Sequence, residues 1–389
     1  MGRRRAVIVA YSLVFVGAGV WLPYFSLWLQ QLGFAGWQIG VVMGMQPALR
    51  WGSAIGWAYA ADRWRIRRRL HVATALAGGL FFVPLVFARE FGTVVGLLTV
   101  IGILHGSVIP LLDATVMDHL PRLGGDYGRL RLWGSVAFVA GAFGSAPVIH
   151  AFSPAIVPMC ILVPALLLAP ALWGLPAEQL GHPERFRAPW RLLTPPLTAF
   201  LATAFLVQLS SGAWAGFFAV HTAALGLSDT VPGVTWGVAA ISEVVMLFAG
   251  RRLLARIAPA DLILVSLAGT VVRWALTAVA KSAPLVVALQ LGHALTFAAF
   301  HLAALLLLAR LVPAESSTGG QALYGVVTFG IAGSAGLNLA GALIDRLGTA
   351  RLFGFEAIVA SLGFLPALYL RRLAAQERAP RWGAYRNPD

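Results

Sequence analysis

Residues 6 to 29 read AVIVAYSLVFVGAGVWLPYFSLWL, an apolar run of 24 residues without a charged side chain. A helix of about 20 apolar residues spans a bilayer core of ~30 Å, and this run is longer than the hydrophobic region of a signal peptide. Similar runs recur along a chain in which 59% of the residues are hydrophobic and 11% are charged. We therefore predict a multi-pass membrane protein whose first helix is not cleaved. The twelve predicted spans are 6–29, 38–61, 70–88, 93–118, 128–149, 155–175, 197–220, 232–252, 261–280, 284–309, 319–343 and 350–370.

The positive charges alternate between the segments that connect these spans. One set of segments carries 22 lysines and arginines and the other set carries 4. Cytoplasmic segments have this excess, so we predict that both termini lie in the cytoplasm of a bacterial cell and that the spans cross its inner membrane. The net charge of +14 then reflects topology and does not indicate a nucleic-acid partner.

The longest polar stretch between spans, Pro176 to Pro196, divides the helices six and six. Two six-helix bundles related by an axis along the membrane normal are typical of transporters with a substrate site between the halves. We predict an all-α membrane protein with an N-terminal six-helix bundle at 1–176, a cytoplasmic linker at 177–196, and a C-terminal bundle with a short basic tail at 197–389. A monomer is expected.

Five charged side chains lie inside predicted spans, where each costs at least ~2.5 kcal/mol unless it is paired or faces a cavity. They are Arg50, Asp113, Arg131, Glu243 and Arg273. Three arginines against two carboxylates leave one positive charge uncompensated, and a carboxylate substrate would neutralise it through bidentate hydrogen bonds. Structural ion pairs are the alternative interpretation, and helix N-termini, chloride or water could also compensate the charge.

Aromatic residues on the same helices could hold the apolar body of such a substrate. Tyr24, Trp28, Trp214 and Phe297 are the candidates, and with Arg50, Asp113 and Arg131 they form the predicted substrate-binding set. Helix packing and the aromatic belts at membrane interfaces are the alternative roles for these side chains.

The segment Gly56 to Arg69, GWAYAADRWRIRRR, resembles the loop after helix 2 that marks the major facilitator superfamily. Asp62 and Arg63 match that pattern, whereas Ala58 and Arg65 replace two of its glycines. The resemblance implies the major facilitator fold and a gating role for Asp62 and Arg63 at the cytoplasmic side. A charge cluster at a helix end is the plainer interpretation.

Residues 110–113, PLLD, and 127–138, YGRLRLWGSVAF, resemble a pattern of lactose permease. The resemblance implies that Asp113 and Arg131 bind substrate. In the second half, Glu243, Arg273 and His293 resemble the substrate and proton residues of the same permease.

Departures from lactose permease remove both its obvious proton carrier and its sugar specificity from what the resemblance implies. Thr296 stands where that protein carries a proton-site glutamate, and Gln290 stands where it has a lysine. The stretches PYFSLWL at 23–29 and GHALTFAAFH at 292–301 bring the chain nearest to the phenylpropionate permease branch, which is related to nucleoside and oligosaccharide proton symporters.

Our hypothesis is proton-coupled uptake of a small organic solute, with an aromatic or other monocarboxylate as the first choice. Glu243, Arg273, His293 and His301 form the predicted proton-coupling set, because an anionic substrate at Arg273 would release Glu243 to bind a proton. The proton gradient is the only energy source expected, without a cofactor or metal.

Of three alternatives to this hypothesis, the first two remain open from the sequence. A nucleoside or sugar symporter and a proton-driven drug exporter would share the fold, although an exporter of cations would favour an acidic cavity. A membrane enzyme or sensor lacks support, since no zinc spacing, phosphate-binding loop or nucleophile elbow is present in the sequence.

Overall fold

The computed structural model describes residues 2–123, 126–176, 192–254 and 256–376, and these residues form helices joined by short turns. Within these described ranges, eleven helical segments are long and apolar enough to span a membrane. The remaining one, α2, has 29 residues but is less apolar, because it contains Gln38, Gln46 and Arg50. In chain order the segments are α1 Arg3–Gln31, α2 Gly36–Trp64, α3 Arg67–Phe87, α4 Phe91–Leu123, α5 Tyr127–Phe152, α6 Pro154–Trp173, α7 Pro195–Ala224, α8 Val231–Gly250, α9 Pro259–Val279, α10 Ala283–Leu311, α11 Ser317–Leu347 and α12 Thr349–Leu373.

Five of the described segments are interrupted near their centres. Turns break α4 at Gly106 and Ser107, α7 at Ser210 and Ser211, and α12 at Gly363. Wider π-helical turns occupy residues 294–299 of α10 and residues 326–332 of α11. Such turns inside α-helices are frequent at functional sites, and irregular backbone at membrane depth is tolerated where it lines a cavity.

The six helices of each half pack mainly on one another, as α1 does on α5 and α9 does on α12. Contacts between the halves are made chiefly by α2 with α11, α5 with α8, and α1 with α7. This arrangement of two six-helix bundles confirms the predicted fold class. Most of the predicted linker at 177–196 and the end of the basic tail lie outside the described residues, and the orientation of the termini stays a prediction.

Small residues close the molecule at one end. A Cβ atom added to Gly40 of α2 would lie 2.8 Å from Cα of Gly341 of α11, so only glycine fits at this crossing. The amide of Gly36 donates a hydrogen bond of 2.9 Å to Asp345, one turn beyond Gly341. The first half of α2 and the second half of α11 therefore form one tight seam, which we call the closed end.

Candidate functional site

A cavity of about 410 Å³ lies between the two bundles, on the side of the seam away from the closed end. That volume suits a small organic ligand. The first half supplies Arg131 and Phe138, and the second half supplies most of the remaining wall. Seven of the predicted site residues line this cavity: Arg131, Trp214, Glu243, Arg273, His293, Phe297 and His301.

Arg273 of α9 is the most heavily coordinated charge in this cavity, and only 4% of its surface is exposed. Its Nη1 donates to Thr296 Oγ1 at 2.9 Å, and its Nη2 donates to Oε1 of Gln290. The guanidinium lies 4.7 Å from the ring centres of both Trp214 and Trp274. Neutral acceptors and aromatic faces therefore hold this cation, which keeps its positive charge uncancelled at the cavity wall.

His293 connects Arg273 to Glu243. Arg273 Nη1 and His293 Nδ1 are 3.2 Å apart, and because arginine can only donate, Nδ1 must be the acceptor. The imidazole proton is then on Nε2, which lies 3.9 Å from Glu243 Oε2. The predicted direct competition of Glu243 for Arg273 is thus replaced by an indirect contact through the imidazole, since the described ion pairs of Glu243 include His293 and not Arg273.

The π-helical turn of α10 arranges three rings in a column. The rings of His293 and Phe297 are 5.1 Å apart and nearly parallel, and those of Phe297 and His301 are 6.0 Å apart and nearly parallel. His301 Nδ1 lies 3.5 Å from the hydroxyl of Tyr324, at the limit of a hydrogen bond. The column gives the cavity a flat aromatic wall that begins at the Glu243 contact.

Arg131 of α5 lies on the opposite wall, with its guanidinium 4.1 Å from the ring centre of Phe15. It is close enough to Glu243 for their charges to interact. Asp113 of α4 accepts a hydrogen bond of 2.5 Å from the hydroxyl of Tyr11, and Arg131 lies 5.5 Å from the same tyrosine ring. A tyrosine thus lies between the two residues that we predicted to share a ligand.

Arg50 lies elsewhere. It lines a second cavity of about 620 Å³ inside the N-terminal bundle, together with Asp113. The two cavities share Phe15, Leu22 and Phe138 as common walls. The predicted substrate set is therefore distributed over two connected spaces.

Tyr24 and Trp28 line neither of these cavities. Tyr24 is fully buried, and its hydroxyl accepts a hydrogen bond of 3.0 Å from the amide of Gly233, so it joins α1 to α8 near the closed end. Trp28 is 1% exposed and packs 5.0 Å from the ring of Phe25. Both side chains pack between helices in this state, because they lie on the part of α1 that the other half covers.

The predicted gating residues lie at the other end of α2. Asp62 is 3.1 Å from Arg67, whose guanidinium also contacts Asp118 at 2.6 Å, so three helix ends are linked by charge. Arg63 is exposed. The structure therefore contains the charge cluster at the helix end that was the plainer interpretation of this segment. The gating role of Asp62 and Arg63 stays a prediction.

Glu356, in the middle of α12 and 3% exposed, was not among the site residues predicted from the sequence. The backbone amides of Gly212 and Ala213, at the start of the second part of α7, donate to its carboxylate. The count of three arginines against two intramembrane acids was therefore wrong, because Glu356 is a third acid. A lone glutamate within the apolar run 349–373 was the signal for it.

The local balance near the cavity still favours positive charge. Arg131 and Arg273 line the cavity with one carboxylate, Glu243, whereas Glu356 is not part of its wall and is occupied by backbone amides. The positive surplus thus belongs to the cavity and not to the membrane layer as a whole.

Comparison with known proteins agrees with this architecture. Residues 6–355 match the model of the MFS_1 like family. A protein of Escherichia coli (strain K12) named "Probable 3-phenylpropionic acid transporter" is 28% identical over 94% of this chain and 97% of its own. The maltose permease of Geobacillus stearothermophilus is 25% identical over 97% of both chains. A solved variant of the nucleoside transporter NupG superposes with a TM-score of 0.80 at 15% identity, over 96% of this chain and 100% of that one, which shows a shared fold. The chain therefore belongs to the MFS_1 like family and is a multi-pass transporter of the major facilitator superfamily, not an enzyme.

Proposed function

We propose that this transporter takes up a small organic anion, with an aromatic monocarboxylate as the preferred class, together with protons. Alternating access of the cavity to the two sides of the membrane moves the substrate. The similarity to a probable 3-phenylpropionic acid transporter supports the substrate class.

The observation that carries this proposal is the chain of contacts from Arg273 through His293 to Glu243 on the wall of the central cavity. It joins an uncancelled cation to a carboxyl group that can exchange a proton, with an imidazole between them. Parallel rings of Phe297 and His301 extend the same wall and supply a flat surface for an aromatic body.

Charge balance supplies a mechanism for coupling. Without substrate, Glu243 lies within electrostatic reach of Arg131 and is 3.9 Å from His293 of the Arg273–His293 pair. A substrate carboxylate that binds these cations removes the attraction that keeps Glu243 ionised, so Glu243 binds a proton. Because the substrate anion and the proton together add no net charge, the loaded cavity carries the same net charge as before, and enclosing it buries no additional charge within the membrane.

Uptake by the purified protein in proteoliposomes tests this proposal. With an inward proton gradient of one pH unit, symport of one proton per substrate supports about tenfold accumulation of labelled 3-phenylpropionate. Glu243→Gln should transport without any response to the gradient. Protein-free vesicles correct for the protonated acid that crosses lipid unaided.

Asp261→Asn is the matched control, because Asp261 pairs with Arg371 at an exposed helix end, 2.6 Å away and outside the cavity. It should keep the gradient response of the wild type. An unchanged response in Glu243→Gln would remove this residue from coupling, and a wild type indifferent to the gradient would overturn proton symport.

A further inference from the structure

We propose that Arg50 anchors a second anion-binding site, inside the N-terminal bundle, which takes a monocarboxylate with an apolar or aromatic body. The site is separate from the central cavity and does not depend on how transport is energised. Three observations support this site: a cavity, an arginine without a carboxylate partner among the described residues, and a connection to the central cavity.

The cavity has the composition of a site for an amphipathic anion. Its volume of about 620 Å³ exceeds that of the central cavity, and aromatic side chains from three helices, Trp21, Trp51 and Phe82, form part of its wall. Few polar groups interrupt the apolar surface, as in most small-molecule sites. Among the described residues that line that wall, Arg50 is the only one with a permanent positive charge.

Arg50 is not used by the protein itself. Its side chain is exposed and faces the cavity, and the ion pairs found among the described residues include none to Arg50. The acid of this cavity, Asp113, is engaged by the Tyr11 hydroxyl. His105, on the same wall, lies within reach of the Arg50 charge and adds no negative charge. A guanidinium in such surroundings is stabilised by a carboxylate that it can bind through two parallel hydrogen bonds.

The backbone around Arg50 is fixed. A Cβ atom added to Gly106, at the break of α4, would lie 2.9 Å from the carbonyl oxygen of Arg50, so α2 and α4 touch at this level. The side-chain amide of Gln46, one turn earlier in α2, donates a hydrogen bond of 3.1 Å to the carbonyl oxygen of Leu98. This bond joins α2 to α4 a second time. Arg50 is thus presented from a rigid crossing of two helices, which lowers the entropic cost of binding.

The common walls, Phe15, Leu22 and Phe138, connect this site to the central cavity. A carboxylate bound to Arg50 is therefore in the cavity next to Arg131, whose guanidinium lies over the ring of Phe15. The ligand thus has two neighbouring binding sites, each with its own arginine.

Thiol chemistry measures the charge preference of the Arg50 cavity without knowledge of the ligand. Ala54 lines the cavity one helical turn from Arg50, and Cys160 is the single native cysteine, so Ala54→Cys in a Cys160→Ser background carries a unique thiol. Each reaction rate of this thiol is divided by the rate of the same reagent with a small free thiol. The normalised rate should be about tenfold higher for an anionic sulfonatoethyl methanethiosulfonate than for its cationic trimethylammonium analogue. Arg50→Gln should abolish the preference, whereas Arg50→Lys and Arg131→Gln should retain it.

Protection by 3-phenylpropionate tests the carboxylate site itself. The compound should slow the modification of Ala54→Cys in the Arg131→Gln background and fail to do so in the Arg50→Gln background. Two results overturn the proposal: equal rates with the two reagents, or protection that survives Arg50→Gln. Neither result touches proton-coupled uptake, which the Glu243 experiment decides separately.

Discussion

At the residue scale, the site depends on how a buried cation is kept without an acid. Arg273 has its Nη atoms bound by an imidazole, a hydroxyl and an amide, and two tryptophan rings lie 4.7 Å from its guanidinium. Thr296 and Gln290 accept hydrogen bonds from the guanidinium. Because both acceptors are neutral, they leave its charge available to a ligand.

The residue types at the site could be predicted from the sequence, but not their partners. Intramembrane charges are visible as interruptions in apolar runs, which identified Arg131, Glu243 and Arg273. That His293 separates Glu243 from Arg273 depends on the π-helical turn of α10, and no local pattern in residues 289–301 specifies that turn. Tyr24 was predicted to contact substrate because aromatic chemistry alone does not distinguish a cavity wall from a helix contact.

Glu356 gives a prediction at the same scale. Glu356→Gln keeps a carbonyl oxygen for the amides of Gly212 and Ala213, so its melting temperature should stay near that of the wild type. Glu356→Leu has a similar volume but no acceptor, and the buried amides at the start of a helix lose their partner, which should cost about 1–3 kcal/mol. Thermal unfolding of the detergent-purified protein measures both variants. A Glu356→Leu protein as stable as the wild type would show that the carboxylate does not hold the break in α7.

At the element scale, the closed end is made by backbones in contact. Gly40 and Gly341 let α2 and α11 touch, and the hydroxyl of Ser334 donates to the carbonyl oxygen of Gly44 further along the same seam. Eleven of the twelve spans are apolar enough to be located from hydropathy alone, because each apolar run must cross the bilayer, whereas α2 is less apolar. The breaks in α4 and α7 could not, since the partners that stabilise them come from helices distant in sequence.

Gly40→Leu should open the closed end. The added side chain meets the backbone of α11, and overpacking costs about 1–3 kcal/mol, so the population of molecules with a separated seam should rise about tenfold. The thiol of Ser334→Cys, in a Cys160→Ser background, reports this opening through faster labelling by a membrane-impermeant maleimide. Gly52→Leu is the matched control on the same helix, because a Cβ atom there meets nothing within 4 Å. Equal labelling of the two variants would show that the seam does not depend on this crossing.

At the scale of the whole molecule, the closed end and the two cavities define one state of a transport cycle. The cavities begin on α2 at Gln46 and on α8 at Trp236, directly after the helix contacts of Gly44 and Gly233. Alternating access requires a second state in which this seam parts and the bundles meet at the Asp62 end. The charge cluster of Asp62, Arg67 and Asp118 lies where that second contact must form.

The direction in which this state faces follows from the topology, which the charge distribution predicts. If the segments with 22 basic residues are cytoplasmic, α2 begins outside at Gly36, the closed end faces outward, and the cavities communicate with the cytoplasm. Lys281 and Ala314 are exposed and flank the two ends of α10, so they must lie on opposite sides of the membrane.

In right-side-out vesicles of the Cys160→Ser background, an impermeant maleimide should label Lys281→Cys at once and Ala314→Cys only after permeabilisation. The same pair in inverted vesicles serves as the control and should give the opposite order. Labelling of Ala314→Cys from the outside would invert the topology, so that the observed state would open outward. The arginine-lined cavities would then receive their anion before the proton gradient acts on Glu243, and uptake would begin from this state instead of ending in it.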